Sequence, residues 1–132
     1  MTVVDASAIV SIVFGENDAE TFSRAFARHR GALSISPVNL WEAAAKAVRS
    51  KAVAQRTAFE QLERTIDWTI VPVSAEQGTI AREAWMRYGR GSGHRAKLNF
   101  GDCFAYALAK TLDEPLLFKG DDFTHTDVRS AL

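Results

Sequence analysis

The length and composition of the chain favour one compact domain, because it has 132 residues and 47% of them are hydrophobic. Its 16 basic and 16 acidic side chains cancel. The net charge therefore indicates neither a nucleic-acid-binding nor a membrane-surface protein, and any polyanion binding needs a local patch. The single cysteine, Cys103, excludes an internal disulfide and a cysteine-rich zinc site. No run of about 18 apolar residues is present, so we expect no membrane span and a cytoplasmic location.

The first third of the chain shows two strand-like runs and two helical patterns. Short apolar runs at residues 3–4 and 33–35 predict buried strands. Between them, residues 8–14 predict a short helix that ends at Gly15. A second helix is predicted behind a cap at Asn17, which has Glu20 three positions later and is followed by Phe22 and Phe26 at helical spacing.

Four further helices are predicted before the last strand. Ser36 with Pro37 indicates a cap and first turn, Ser74 with Gln77 has the spacing of a capping box, and Asn99 is a third predicted cap. Strands are predicted at residues 70–73 and 116–118. The apolar positions of the four helices are, in chain order, Trp41, Ala44, Ala45 and Val48; Phe59, Leu62 and Ile66; Ile80, Ala81, Ala84, Trp85 and Tyr88; and Phe104, Leu108 and Leu112.

The alternation of strands and helices determines the predicted fold class. Strands that are separated by helices need crossover connections, and crossovers produce parallel pairing. We therefore expect an α/β fold with a mostly parallel sheet of four to five strands and helices on both faces.

Acidic residues cluster at one edge of this predicted sheet. Asp5 ends the first strand, and Glu42 lies in the second turn of the helix that follows the second strand. Asp102 lies in the first turn of the helix that leads into the last strand, and Asp121 and Asp122 follow that strand. The carboxyl ends of parallel strands share an edge with the starts of the following helices. The pattern therefore predicts that four segments bring carboxylates together.

Each acid taken alone also has a simpler explanation. Asp5 suits a helix cap, and Glu42 suits a solvated helix face. The dipole of its helix would stabilise Asp102, and Asp121 after Gly120 is an ordinary turn residue. The coincidence of all four at one edge is what favours a joint site.

The chemistry of such a site follows from its charge. Two carboxylates about 5 Å apart repel by roughly 3 kcal/mol at an effective dielectric of about 20, so four of them need a compensating cation. Oxygen ligands without histidine or thiolate select hard ions, which favours magnesium or manganese over zinc. Such ions activate water and stabilise the oxygens of a phosphodiester, so the pattern predicts metal-dependent phosphodiester hydrolysis.

Four segments carry a family resemblance: TVVDASAIV at 2–10, the helix with Glu42, KLNFGDCFAYALAK at 97–110 and LLFKGDDFTHTDV at 116–128. Together they resemble PIN-domain ribonucleases, and most closely the VapC toxins of bacterial type II toxin–antitoxin pairs. The resemblance covers the chain as a single PIN-like domain over residues 1–132. It implies a magnesium-dependent endoribonuclease in which manganese can substitute, a cognate VapB-type antitoxin that covers the site, and a homodimer.

The resemblance also assigns site residues. It implies that Asp5 and Asp102 are the principal metal ligands, that Glu42 is the acid of the helix after the second strand, and that the Ser7 hydroxyl supports Asp5. For the fourth acid we expect Asp121, with Asp122 left open, because many relatives carry a Thr-x-Asp pattern that this sequence lacks.

A basic loop precedes the helix of Asp102, around the glycine-rich run at 89–93. The helix before the loop is expected to end at the edge away from the acids, so the loop must return toward them. This return would leave Arg95 and Lys97 nearest Asp102, where they could hold RNA phosphates. A solvated connector is the equally weighted alternative. The basic side chains of the segment are Arg87, Arg90, His94, Arg95 and Lys97.

Two other functions compete with the nuclease. A receiver-type signalling domain shares the size and alternation, but such domains pair two acids after the first strand, and this sequence has only Asp5 there. A catalytically silent PIN-like protein-binding module is the second alternative. The complete acid set argues against it, and an activity assay decides it.

Overall fold

A computed structural model describes residues 1–132 and contains one four-stranded sheet in the order β3-β2-β1-β4. Every strand pair is parallel, which confirms the predicted α/β class with four strands. The strands are β1 (Thr2–Val4), β2 (Leu33–Ile35), β3 (Trp68–Ile70) and β4 (Leu116–Leu117). The helices are α1 (Ala6–Val13), α2 (Ala19–Arg28), α3 (Pro37–Arg49), α4 (Val53–Thr65), α5 (Ala75–Tyr88) and α6 (Phe100–Leu112), with a final 3₁₀ turn at Asp122–His125.

The third strand lies earlier in the chain than predicted. The predicted run was 70–73, whereas β3 ends at Ile70 and only the backbone N–H of Val71 still donates to Ile35. Pro72 has no N–H to continue the pairing, and its carbonyl accepts a hydrogen bond from Gln77 instead. The strand is at the edge of the sheet, and two of its three residues, Thr69 and Ile70, are exposed.

The core has two halves, one on each face of the sheet. Val3 packs with residues of α5 and α6, whereas the adjacent Val4 packs with residues of α1 to α4. This alternation follows from the two-residue period of a strand. The prediction of helices on both faces is therefore confirmed. None of the helices is both long and apolar enough to span a membrane.

Most predicted helix starts are confirmed, and one is wrong. Ser36, Ser74 and Asn99 each accept a backbone hydrogen bond from the first turn of their helices. The cap of α2, however, is at Asp18 rather than Asn17. The Asp18 carboxylate makes no capping bond, because it accepts from the Ser11 hydroxyl and pairs with Lys119.

The buried face of α3 differs from the predicted apolar stripe. The stripe comprised Trp41, Ala44, Ala45 and Val48, but Trp41 is 72% and Val48 60% exposed. The buried residues are Asn39, Ala43 and Ala47. These small side chains allow α3 to pack closely against its neighbours, whereas the sequence pattern gave weight to the larger apolar residues.

Candidate functional site

Asp5 is the most deeply buried acid of the site. It lies directly after β1, where it caps α1, and it is 3% exposed. One carboxylate oxygen, Oδ2, accepts from the backbone N–H of Ser7 at 3.0 Å and from its hydroxyl at 2.6 Å. The other oxygen, Oδ1, is buried without a hydrogen-bond partner. Burial raises the pKa of Asp5 above its usual range despite the Ser7 hydrogen bonds.

Ser7 connects Asp5 to the other side of the site. Its hydroxyl oxygen accepts from the backbone N–H of Lys119 at 2.9 Å while its proton is donated to Asp5. The segment after β4 is thereby fixed to the segment after β1. The family resemblance implied that the Ser7 hydroxyl supports Asp5. These two hydrogen bonds are consistent with that role.

Asp102 combines a capping position with a place among the acids. In a capping box at the start of α6, the backbone N–H of Asn99 donates to Asp102 Oδ2 at 2.9 Å, and the Asp102 N–H donates to Asn99 Oδ1 at 2.8 Å. Burial and then the charge of Asp5 nevertheless raise the pKa of Asp102 to about 7, with smaller contributions from Glu42 and Asp122. The unfavourable environment outweighs the favourable capping bond.

Glu42 reaches the same place from α3. Its carboxylate lies so close to Gly101 of α6 that a Cβ atom added there would be 2.7 Å from Glu42 Oε1. Burial and then the charge of Asp5 raise the pKa of Glu42, while Lys46 opposes the shift. The simple interpretation of Glu42 as a solvated residue is wrong, because it is only partly exposed and faces two other acids.

These side chains line a cavity of about 190 Å³ at the carboxyl ends of β1 and β4. The fourth acid in it is Asp122, whereas Asp121, the residue expected from the sequence, does not line the cavity. The chain turns at Gly120, which has a φ of +93°, and the first residue of the following 3₁₀ turn is Asp122. The cavity lining therefore favours Asp122 over Asp121 as the fourth acid. The cavity is lined by Asp5, Ala6, Ser7, Glu42, Lys46, Asn99, Asp102, Lys119, Asp122 and Phe123.

Two lysines at this cavity were missed in the sequence. Lys119 forms ion pairs with Glu16 at 2.9 Å and with Asp18 at 3.3 Å, and the Glu16 contact raises its pKa. Lys46 has no ion-pair partner within 4 Å. Its positive charge partly offsets the rise in the pKa values of Asp5 and Glu42. The four-residue spacing from Glu42 to Lys46 on one helix was the available signal for the second lysine.

The donor set fits a hydrated hard cation rather than a fully protein-bound one. No three acidic side chains converge closely enough to enclose an ion by themselves. Magnesium usually keeps several waters and uses only one or two carboxylates, so it does not need such an enclosure. The unpartnered Oδ1 of Asp5 and the raised pKa values of the three acids are features that a cation would relieve.

The basic loop does not return across the sheet as predicted. The backbone N–H of Leu98 donates to Tyr88 at 3.0 Å, and that of Arg90 donates to Leu98 at 2.9 Å. The end of α5 therefore lies beside the start of α6, and the two helices are close neighbours. Arg95 and Lys97 are exposed on the intervening loop, and neither lines the carboxylate cavity.

Comparisons with known proteins identify the family of the chain. The family model described as the PIN domain matches residues 2–129. Ribonuclease VapC42 of Mycobacterium tuberculosis is 43% identical over 136 residues, with 98% of both chains covered. The chain belongs to the PIN-domain family, with VapC ribonucleases as its relatives. Ribonuclease VapC28 of the same organism is 39% identical, with 98% of this PIN domain and 97% of the relative covered. The family excludes the receiver-type alternative.

Solved structures support the fold. The M. tuberculosis toxin VapC20, described as cleaving the sarcin–ricin loop, superposes with a TM-score of 0.75 at 16% identity, covering 97% of this PIN domain and 96% of that chain. FitAcB from Neisseria gonorrhoeae gives a TM-score of 0.74 at 16% identity, with coverages of 98% and 96%. At such low identities the likeness establishes the shared fold alone.

Proposed function

We propose that this PIN domain, as one unit over residues 1–132, is a metal-dependent endoribonuclease and the toxic member of a type II toxin–antitoxin pair. The observation that carries the proposal is the single cavity that Asp5, Glu42, Asp102 and Asp122 line. Burial raises the pKa values of the first three acids, and the charge of Asp5 adds to the rise at Glu42 and Asp102, as is typical of functional sites. Relatives at 39–43% identity that bear the name ribonuclease support the same activity.

The cofactor in this proposal is Mg²⁺, with Mn²⁺ as a substitute. Asp5 and Asp102 would hold it most directly, with Glu42 and Asp122 as the further acids of the same cavity. When bound, the ion supplies an activated water and stabilises negative charge on the phosphodiester. Ser7 and Asn99 orient the two principal carboxylates through the hydrogen bonds described above. Such supporting bonds fix ligand geometry and strengthen cation binding.

The decisive experiment is incubation of the purified, partner-free protein with total RNA. Cleavage should occur with Mg²⁺ or Mn²⁺, disappear in excess EDTA and return when the cation is restored, since the carboxylates alone provide no electrophile. Mapping the new RNA ends would give the cleavage position. Undiminished cleavage in EDTA would contradict the metal dependence, and intact RNA with both cations would favour the silent binding module.

A VapB-type antitoxin is the proposed protein partner. We expect a segment of it to cover the carboxylate cavity and to place an arginine or lysine there, because a cation from the partner would relieve the repulsion between the acids. The purified one-to-one complex should therefore cleave RNA more slowly than the free protein. Full activity in a stable complex would refute this mode of inhibition. The homodimer stays a prediction, which sedimentation of the purified chain tests.

The exposed loop with Arg95 and Lys97 is a proposed contact for RNA phosphates. Replacing both residues with Ala should weaken RNA binding and lower the slope of log K against log salt by about 0.7 for each lost contact to a single strand. Cation affinity should not change, because neither side chain lines the cavity. A matched double variant, Arg24→Ala with Arg28→Ala on α2, controls for net charge. An unchanged salt slope would identify the loop as a solvated connector.

A further inference from the structure

The contact between α3 and α6 contains a polar residue that the proposed chemistry does not yet use. Asn39 on α3 is completely buried. Its Nδ2 donates to the backbone carbonyl of Gly101 on α6 at 3.0 Å, across 62 positions of the chain. Its Oδ1 has no hydrogen-bond partner. An apolar residue would fill this place without an unsatisfied polar atom, so packing alone does not account for an amide here.

Both partners of this hydrogen bond adjoin acids of the cavity. Asn39 and Glu42 are three residues apart on α3 and therefore share a helix face. Gly101 immediately precedes Asp102 in the first turn of α6. The hydrogen bond thus fixes the two helices relative to each other at the level of the two carboxylates. The Asn39 side chain also favours the charged form of Glu42.

Gly101 provides the space for the same contact. An added Cβ atom would lie 2.7 Å from Oε1 of Glu42 and 3.0 Å from both its Cδ and its Oε2. Because Gly101 is not among the glycines with positive φ, its backbone would accept another residue, and the reason for glycine is the approach of Glu42. Any larger residue would push the Glu42 carboxylate away from the start of α6, where the helix dipole favours negative charge.

We propose that Asn39 and Gly101 form a clasp between α3 and α6 that sets the position of Glu42 relative to Asp102. In this α3–α6 clasp Asn39 is a positioning residue, which acts on the cation through Glu42 and Asp102 without touching it. The proposal rests on cation binding at the cavity, as in the proposed function. It explains why a buried amide with an unpartnered oxygen and a glycine face each other at this point.

The test measures Mn²⁺ binding by calorimetry in the absence of RNA, with Asn39→Ala and Gly101→Ala. Each variant should bind Mn²⁺ about 10- to 100-fold more weakly than wild type, the range for residues that orient metal ligands. In RNA cleavage kcat should fall while KM changes little. Asn39→Ser, a smaller change, provides the same comparison if either variant fails to fold.

Gln77→Ala is a matched control. Gln77 on α5 is also a buried amide whose nitrogen donates to a backbone carbonyl, that of Pro72 at 3.1 Å, and whose oxygen has no partner. It does not line the carboxylate cavity. Its replacement should lower the melting temperature as Asn39→Ala does and leave Mn²⁺ affinity at the wild-type value.

The outcomes separate this proposal from the nuclease itself. Wild-type Mn²⁺ affinity and kcat in folded Asn39→Ala and Gly101→Ala variants would overturn the clasp while leaving the nuclease intact. Equal losses of Mn²⁺ affinity in Asn39→Ala and Gln77→Ala would also overturn it, because the effect would then reflect stability alone. Weakened Mn²⁺ binding in the clasp variants of a protein that cleaves no RNA would support the clasp and refute the nuclease.

Discussion

Replacing Asp5 with Asn should reduce RNA cleavage by at least about 100-fold, because loss of a principal ligand removes several kcal/mol of charge stabilisation from the transition state. The fold should survive, since an Asn side chain can still accept the capping bonds from Ser7 that Asp5 accepts now. Initial rates in Mg²⁺, together with melting curves, measure both effects. A variant that keeps more than a tenth of the wild-type rate would exclude Asp5 as a principal ligand.

Two comparisons make this result specific to the carboxylate cavity. Ser7→Ala keeps the Asp5 charge and removes only its orienting hydroxyl, so a smaller loss of about 10- to 100-fold is expected. Asp122→Asn should lose more activity than Asp121→Asn, because only Asp122 lines the cavity. Asp113→Asn makes the same chemical change at an exposed position after α6, and it should cleave at the wild-type rate.

Asp102→Asn should abolish cleavage and yet raise the melting temperature in EDTA at pH 8. Burial and the charges of Asp5 and Glu42 disfavour the Asp102 carboxylate, and an Asn side chain removes that charge while it can still accept the bond from Asn99. A gain of about 1 kcal/mol would raise the melting temperature by about 3–5 °C in a chain of this size. Added Mg²⁺ should stabilise the variant less than wild type, since a ligand is missing.

The same shift predicts a pH dependence. The pKa of Asp102 is about 7 in the folded protein and about 3.9 in an unfolded chain. The folded state therefore holds an extra proton between these values. Its contribution to stability is complete below about pH 4 and is lost as the pH rises through about 7.

Wild type in EDTA should accordingly lose more stability from pH 5 to pH 8 than Asp102→Asn does. Melting curves of both proteins across this range measure the difference. A lower melting temperature of the variant in EDTA, with a wild-type response to Mg²⁺, would show that Asp102 serves only as the helix cap.

Features that depend on neighbouring residues could be predicted from the sequence. The caps at Ser36, Ser74 and Asn99 need only a few adjacent positions, and the structure confirms them. The placement of Asp5, Glu42 and Asp102 along one cavity followed from the parallel sheet, since topology alone brings strand ends to one edge. For such elements local chemistry and the fold class were sufficient.

Features that depend on close packing between distant segments could not be predicted. Which face of α3 is buried depends on how closely Ala43 and Ala47 allow the helix to approach its neighbours. That interhelical distance cannot be predicted from the sequence. The choice between Asp121 and Asp122 depends on the direction of one turn. Asn39 and Gly101 are 62 positions apart, and the sequence pattern of neither segment predicts a contact with the other.

The hydrogen bond between Ser7 and Lys119 has a consequence for the synthesis of the protein. One wall of the cavity belongs to the first seven residues and another to residues 119–123, and the pairing of Val3 with Leu116 joins them across almost the whole chain. Contacts so distant in sequence cannot form until both partners have left the ribosome. A nascent or prematurely terminated chain that stops before residue 119 therefore has no complete carboxylate cavity. Cation binding at this cavity is therefore a property of the nearly completed chain, available only after the segment at residues 119–123 has left the ribosome.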